Sequence, residues 1–483
     1  MADVTEITQE SKSMVPARNR LVTALNAWFQ DKILHAYLLG IFAGVLLERT
    51  VGIVIARLLG LRDLPVLFGL LNVFEAFGDL DLSGILEPLF PTTNIPNPWQ
   101  QAGAALVDVL VTIGSDIPLA LLTTLQVTAY NLIIYGVPVF LAALVLNPAL
   151  RGVVRRLPRA FNLGLLVALT YGIFWAWGGE TAYRELVLMY LGINIILTVS
   201  LNLINGYMGE FSVGHAGFMG VGAYAASVLT MRLFTDSPAF GPALLPGLTD
   251  LPFGLHVLIG FPIALIAGGV AAALTGLLVA FPSFRTRGDY LAIVTLAVNF
   301  IVQAALNNME IVGGPRGLRG VPLWSNFTWV FVVTLLSIFA IRNLVNSTFG
   351  KGIVAIREDE IASGLMSVNT RGVKLVAFLT SSFLAGVAGG LFAHVLAYVN
   401  PGVFGIFKST EALVMVYLGG MGSISGSIIA AFIFTFITEA LRPLGVLKWV
   451  LIPLLLILLM IYRPQGLFGN RELHFNIGGR EEE

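Results

Sequence analysis

The sequence contains no cysteine and very little charge. The absence of cysteine among its 483 residues excludes disulfides and thiolate metal sites. Only 12% of the residues are charged and 57% are hydrophobic, whereas soluble domains carry about 25% charged residues. The 28 basic and 28 acidic side chains balance, which argues against a nucleic-acid partner. Because apolar runs of about 20 residues recur throughout, the composition predicts an all-α polytopic membrane protein rather than a β-barrel.

Motifs for nucleotide binding and hydrolysis are also missing from the sequence. It has no G-x-x-x-x-G-K-[ST] run, so the energy for any active transport must come from other subunits. It has no H-E-x-x-H or G-x-S-x-G motif, and its histidines (35, 215, 256, 394 and 474) are scattered. We therefore predict that the chain is not an enzyme, and that it carries no metal or cofactor.

The N-terminal third predicts two spans, separated by a long loop. The first span covers about residues 33–55, with Glu48 and Arg49 inside it, and the second covers about 121–146. Residues 63–116 predict a loop with short interfacial helices. Arginines cluster directly after the second span, at positions 151, 155, 156 and 159. Under the positive-inside rule, this cluster is cytoplasmic.

Ten further spans are predicted after the arginine cluster. Glycines at 419, 420, 422 and 426 divide a long apolar run into a short and a full helix, as in transporters with broken helices. If successive spans cross the membrane in alternating directions from the cytoplasmic arginine cluster, Arg316 and Arg319 lie on the extracytoplasmic side. This placement conflicts with the positive-inside rule. The predicted spans are 163–177, 186–204, 208–230, 257–280, 290–306, 329–341, 375–395, two passes within 411–440, and 449–461.

These spans predict three parts of the chain. Residues 1–160 form a membrane-associated extension of about two extra spans. Residues 161–469 form a transmembrane core of about ten helices, and residues 470–483 form a tail on the cytoplasmic side. The first thirty residues are polar and mixed in charge, so no cleaved signal peptide is expected.

The stretch 206–224, GYMGEFSVGHAGFMGVGAY, combines six glycines with one acid and one histidine. Glycines allow helices to pack closely, and ionisable groups at membrane depth usually face protein or water. The stretch is therefore a helix–helix seam or the lining of a path, and the residues alone leave both possible. The candidate path residues are Asn202, Asn205, Glu210, Ser212, His215 and Gly217.

Each polar candidate also has a structural interpretation. Asn202, Asn205 and Ser212 equally suit hydrogen bonds between helices, and this interpretation is favoured. A lone membrane histidine such as His215 often bonds to a neighbouring helix. Glu210 suits either a gate that pairs during transport or a carboxylate at a helix N-terminus, where the dipole favours it.

A charged amphipathic helix is predicted at 353–366, between two core spans. Val354, Ile361 and Leu365 lie on one face, while the run from Arg357 through Glu358 and Asp359 to Glu360 covers the others, and Gly364 ends or bends the helix. Such a helix suits a docking element for a partner. It equally suits a solvated loop helix on the lipid surface.

Six ordered blocks between residues 186 and 469 resemble the M-type permease subunits of branched-chain amino acid ABC importers. The main departure is Glu210, where the family usually has glutamine. The blocks are NLINGYMGEFSVGHAGFMGVGAYAASVL, RGDYLAIVTLAVNFI, VGGPRGLRGVP, STFGKGIVAIREDEIASGLMSVNTRGVKLVAFLTSSFLAGVAGGLFAH, VYLGGMGSISGSIIAAF and YRPQGLFG.

The resemblance implies a ten-helix importer core in the cell inner membrane. It implies a second, homologous permease, two ATP-binding subunits that hold the ATP, and an extracytoplasmic substrate-binding protein. It also makes the 353–366 helix the ATPase-coupling element, with Arg357, Glu358, Asp359, Glu360 and Gly364 as its candidate residues.

The function implied is import of branched-chain or other neutral amino acids. One alternative is the permease of a related urea or short-amide importer, because selection lies largely in the binding protein. Another is a secondary transporter that acts without an ATPase. That class needs carboxylates at mid-membrane depth, whereas Glu210 and Glu310 fall near span ends.

Overall fold

The computed structural model describes most of the chain outside the N-terminal third. The loop predicted at 63–116, apart from a few residues at its start, lies outside the described residues. So do Arg155 of the arginine cluster and most of the tail at 470–483. The described residues are 34–61, 64–70, 72, 121–154, 156–235, 240–245, 255–284, 290–442, 448–462, 465–469 and 472–473.

Helices account for most of the described residues. Nine are long and apolar enough to cross a membrane, within the ranges that the structure describes. These nine are α1 (Leu34–Leu58), α2 (Leu121–Val154), α3 (Arg159–Gly178), α4 (Ala182–Met208), α5 (His215–Phe234), α6 (Leu255–Ser283), α7 (Tyr290–Asn308), α8 (Phe327–Asn346) and α11 (Thr370–Leu396). The shorter helices are α9 (Thr348–Glu358), α10 (Glu360–Leu365), α12 (Ile406–Gly419), α13 (Ile424–Ala440) and α14 (Lys448–Tyr462).

The all-α polytopic class is confirmed, with ten core helices from α3 to α14 once the short α9 and α10 are set aside. The division of the 411–440 run is also confirmed, because α12 ends at Gly419 and α13 begins at Ile424. Gly420 has φ +108° and Gly422 has φ +83°, a region open to glycine but costly for other residues. The break therefore depends on its glycines.

Two predicted boundaries are wrong. The span predicted at 208–230 does not begin at Met208, because α4 continues to Met208 through a final π-helical turn and α5 begins only at His215. The single helix predicted at 353–366 is two helices that meet at Asp359. The Asp359 backbone is extended there, and its side chain caps α10 by accepting the N–H groups of Ile361 and Ala362 at 2.9 and 3.0 Å.

The chain forms two compact units. The first comprises residues 1–184, 436–451 and 473–483, and the second comprises 185–435 and 452–472. In the first, α1 packs against α2 and α3. In the second, α5, α6 and α11 pack tightly against one another. The predicted extension, core and tail boundaries remain predictions.

Glycines bring α5, α6 and α11 into backbone contact. A Cβ atom on Gly222 of α5 would meet the backbone of Gly386 on α11. A Cβ atom on Gly268 of α6 would lie 2.7 Å from the Gly222 carbonyl oxygen. Small residues at these positions let the helices approach closely, as in other membrane helix pairs. Gly222 of the 206–224 stretch therefore forms part of a helix–helix seam.

The loop around Arg316 and Arg319 folds as a small ordered unit in the second compact unit. Leu318–Arg319 (β1) pairs antiparallel with Tyr398–Val399 (β2). Four glycines of the loop, at 313, 314, 317 and 320, have positive φ. The Arg319 guanidinium lies 5.9 Å from the centre of the Tyr398 ring, in a cation–π arrangement.

Candidate functional site

A short non-helical connection joins α4 to α5. Gly209, with φ +76°, ends the π-helical turn, and residues 209–214 contain no helix. We call this non-helical stretch, together with the last three residues of α4, the glycine connection (residues 206–214). It is hydrogen-bonded within the second unit: the N–H of Ser212 donates to Asn205 Oδ1 and the N–H of Val213 donates to Thr295 Oγ1, both at 3.2 Å. The connection is therefore an ordered turn.

Lys374 links the glycine connection to α10. Its Nζ lies 2.6 Å from Glu210 Oε1 and 2.8 Å from Glu360 Oε2. The Lys374 side chain is only 9% exposed, whereas Glu210 is 22% and Glu360 is 52% exposed. One ammonium group thus holds a carboxylate from the connection and a carboxylate from α10, at the first turns of α11.

Arg357 makes a second link between the same two segments. Its Nη1 donates to the carbonyl of Gly206 at 3.1 Å, and its other nitrogens bond to the neighbouring Glu358. Gly209 packs so closely that a Cβ atom there would lie 2.6 Å from Arg357 Cγ. The charged segment, defined here as α9 and α10 (residues 348–365), therefore contacts the glycine connection through an arginine and through Lys374.

The remaining residues predicted for the charged segment take different positions. The Glu358 side chain is 69% exposed. Ile361, Leu365 and Met366 are all strongly exposed, although they are apolar. Gly364 has open space around its Cα. The outer side of α10 therefore presents apolar side chains that are largely exposed, which is a property expected of a docking element.

His215 is fully buried at the start of α5. Its Nε2 shares a hydrogen bond of 2.8 Å with Ser200 Oγ on α4, and the Ser200 carbonyl accepts the hydroxyl of Ser381 on α11. Within the described residues, its Nδ1 has no hydrogen-bond partner. The bond to Ser200 matches the interpretation of His215 as a link to a neighbouring helix.

Asn202 lies directly before the final π-helical turn of α4 and makes hydrogen bonds to the break between α12 and α13. Its Nδ2 donates to the Ser423 carbonyl at 2.9 Å and to Ser427 Oγ at 2.8 Å, while its Oδ1 accepts the N–H of Gly422 at 2.9 Å. Both polar atoms of its side chain thus form hydrogen bonds to the region of the break. A role in fixing the break follows directly from this geometry.

Asn205 and Ser212 are less completely bonded. Asn205 Oδ1 accepts the Ser212 N–H, but within the described residues Asn205 Nδ2 and Ser212 Oγ have no hydrogen-bond partner. Both side chains are buried. These two side chains retain unused hydrogen-bonding capacity at the connection.

Gly217 faces a polar contact between α5, α7 and α12. A Cβ atom on Gly217 would lie 3.1 Å from both Cα and Oδ1 of Asn299 on α7. Asn299 Nδ2 donates to Ser409 Oγ at 3.3 Å, and Ser409 Oγ also accepts the N–H of Ala216 at 3.1 Å. Ser409 thus satisfies one of the N–H groups at the N-terminus of α5, so this helix start is bonded to a side chain of the protein itself.

The two segments are predictable from the sequence, but the residue that joins them is not. Lys374 lies one residue before the predicted span 375–395, and 164 residues separate it from Glu210. A basic residue at the start of an apolar run is a common feature, and no local pattern pairs it with an acid so far away. Glu210, for its part, lies five residues before α5 begins, so its carboxylate does not cap that helix.

Comparison with known proteins agrees with this architecture. Residues 183–462 match the family described as the branched-chain amino acid transport system permease component. The high-affinity branched-chain amino acid transport system permease protein LivM of Escherichia coli K12 is 33% identical over 344 residues, covering 64% of this chain and 74% of that protein. No solved structure matches the chain.

Two further relatives show the breadth of the similarity. A probable branched-chain amino acid transport permease protein LivM from Methanocaldococcus jannaschii is 24% identical over 326 residues, covering 60% of this chain and 94% of that protein. The permease protein LivH of Escherichia coli K12 is 31% identical over 148 residues, covering 30% of this chain and 47% of that protein. The chain is thus a multi-pass membrane protein that belongs to the branched-chain amino acid ABC transport permease family, as an M-type member.

Proposed function

We propose that this chain is the transmembrane permease subunit of a binding-protein-dependent ABC importer for branched-chain or other neutral amino acids. Its partners are a second homologous permease, two ATP-binding subunits and an extracytoplasmic substrate-binding protein, in the lipid of the cell inner membrane. The ATP is held by the partner ATPases. The tail lies on the cytoplasmic side, together with the charged segment.

The link between the charged segment and the glycine connection supports this proposal most directly. An importer whose ATPase is a separate protein needs a mechanical contact that carries motion from the ATPase to the membrane helices. The charged segment has exposed apolar and acidic side chains on its outer side. Toward the connection it makes a direct contact through Arg357, and its Glu360 shares Lys374 of α11 with Glu210 of the connection. Because the connection joins α4 to α5, displacement of the charged segment would displace the ends of both helices.

The transport cycle we propose is alternating access, in which this contact transmits movement from the ATPases to the membrane helices. A loaded binding protein docks on the outer loops, and ATP binding closes the two ATPases. Their movement displaces the charged segment, and the paired permeases change from outward-open to inward-open. The ATPase must contact the segment differently in the two states, because only differential interaction shifts a conformational equilibrium.

Copurification and uptake test the function as a whole. The detergent-solubilised chain is expected to retain an ATP-hydrolysing subunit, and uptake is expected to stop when ATP is depleted. A chain that retains no ATPase and supports uptake without ATP would instead be a secondary transporter.

Charge reversal tests the coupling role of the charged segment. In Glu360→Lys, a second ammonium group faces Lys374, and repulsion should uncouple ATP hydrolysis from uptake. Glu358→Lys removes the carboxylate that orients Arg357, and it should also uncouple, to a smaller extent because Glu358 is more exposed. Wild-type coupling in both variants would count against the assigned role.

The substrate class is tested on the partner binding protein. Calorimetric titration with leucine, isoleucine, valine, small neutral amino acids and urea is expected to show binding of the aliphatic amino acids. Capture of urea alone would overturn the substrate class and leave the permease assignment in place.

A further inference from the structure

The C-terminal residues after α14 fold back onto the break between α12 and α13. The N–H groups of Leu467 and Phe468 donate to the carbonyls of the last two residues of α12, at 2.8 and 3.2 Å. We define residues 465–469 together with Glu472 as the terminal strap. Backbone hydrogen bonds of this kind fix the strap beside the glycine-rich break.

Glu472 places its carboxylate on the N-terminus of α13. Its Oε1 accepts the N–H of Ile424 at 2.6 Å, and its Oε2 accepts both the N–H and the hydroxyl of Ser425, at 3.0 and 2.6 Å. The Tyr207 hydroxyl donates to Oε1 at 3.1 Å. The carboxylate thus satisfies N–H groups that lack a partner within the helix, at the end where the helix dipole favours negative charge.

Tyr207 connects the strap to the charged segment. It lies in the last turn of α4, next to Gly206, whose carbonyl accepts the hydrogen bond from Arg357. Asn202, one turn earlier, accepts the N–H of Gly422 in the break that the strap covers. One junction therefore holds the end of α4, the start of α13 and the strap, and the charged segment reaches this junction at Gly206.

We propose that Glu472 is a conformational latch that holds this junction closed and restrains the movement driven by ATP. A displacement of α4 relative to the start of α13 must break at least one of the hydrogen bonds that this single carboxylate accepts. The latch therefore stabilises the described conformation over any state in which the two helix ends separate. The restraint on ATP-driven movement rests on the proposed importer function, whereas the restraint on the strap does not.

Thiol labelling tests the latch on the chain alone. Because the protein has no cysteine, Leu467→Cys supplies a single reporter on the strap. Glu472→Ala removes the four hydrogen bonds described for the carboxylate and should raise the rate of labelling by a maleimide about tenfold, because bonds to a charged acceptor are roughly twice as strong as neutral ones. Tyr207→Phe removes one of these bonds and should raise the rate about threefold. Glu310→Ala, which removes an exposed glutamate elsewhere, should leave the rate unchanged.

Cross-linking tests the latch in the assembled importer. The double variant Ser425→Cys with Glu472→Cys, bridged by a short reducible bifunctional thiol reagent, should lose uptake and regain it on reduction. Each single cysteine variant, treated in the same way, should keep its uptake. Glu472→Ala should raise ATP hydrolysis in the absence of the binding protein about threefold or more, since the restraint is removed.

The outcomes separate the latch from the proposed function. An unchanged labelling rate in Glu472→Ala would overturn the latch, whether or not an ATPase binds. Faster labelling in a chain that retains no ATPase would support the restraint on the strap and overturn the importer function. Full uptake by the cross-linked importer would overturn the latch and leave the importer function standing.

Discussion

The two compact units each contain an ionic cluster, and the clusters differ in their access to water. In the first unit, Glu48 and Arg184 pair at 3.1 Å, and each side chain is only 5% exposed. Tyr135 donates a hydrogen bond to Glu48, and the Arg184 guanidinium lies 5.0 Å from the centre of the Trp177 ring. In the second unit, Lys374 is buried between Glu210 and the half-exposed Glu360. The first cluster is sealed, and the second opens to solvent on one side.

This difference indicates different roles. A sealed pair resists any movement that would expose or separate its charges, because each lone charge would remain buried. A pair with one solvated partner can exchange that partner for water at a smaller cost. The cluster around Lys374 is therefore suited to movement during transport, whereas Glu48–Arg184 is suited to holding α1 against the start of α4.

The largest effect is expected for Arg184→Met. Removing one partner of a buried pair leaves the other charge uncompensated and costs about 3–5 kcal/mol. The free energy of unfolding, measured by denaturant titration in detergent micelles, should fall by this amount. Replacing both residues, as in Glu48→Met with Arg184→Met, should recover most of the loss, and no recovery would mean that packing rather than charge dominates at this site.

A smaller effect on the same measurement is expected for Lys374→Met. Glu360 can be hydrated when its partner is lost, and Glu210 partly so, which limits the cost to about 1–3 kcal/mol. If this variant were destabilised as much as Arg184→Met, the distinction between the sealed and the open cluster would be wrong.

Glu210→Gln should cost about 1 kcal/mol, because it exchanges a charged acceptor for a neutral one. Lys374 keeps Glu360 as its ionic partner in this variant. Uptake should stay close to that of the unaltered protein. A loss of uptake as large as in Glu360→Lys would show that the glutamate itself acts in transport.

The smallest effect is expected for Arg49→Gln. Arg49 pairs with Glu180 in the first unit, but both side chains are partly exposed. Exposed ion pairs contribute about 0–1 kcal/mol. The unfolding free energy should change by no more than this, which makes the variant a matched control for Arg184→Met.

The sequence predicted helices well where hydrophobicity alone decides them. The core spans and the break after Gly419 follow from apolar run length and glycine spacing. The end of α4 is not predictable from hydrophobicity, because its apolar run continues smoothly into the 206–224 stretch; the helix ends where Gly209 adopts a left-handed conformation. Asp359 lies within a charge run, and the sequence does not distinguish it from its neighbours as the residue that caps α10, although a helix N-cap is a common role for aspartate.

The candidate site was predicted only in its local parts. Glu210 and Arg357 were named from their patterns, but their contacts with Lys374 and Gly206 depend on how distant segments pack. Glu472 carried no sequence signal, since an acid in a polar tail is ordinary. Contacts between segments that lie far apart in the chain leave no periodicity in a single sequence, and only the folded chain brings them together.

The amount of substrate imported per ATP hydrolysed by Lys374→Met tests the central claim most directly. The assay uses the complete importer in proteoliposomes with saturating binding protein, and compares this variant with the unaltered protein. If Lys374 carries movement from the charged segment to the glycine connection, ATP hydrolysis should persist while uptake per ATP falls about tenfold, since charged hydrogen bonds contribute about 1.5–3 kcal/mol each. An unchanged ratio would contradict the account.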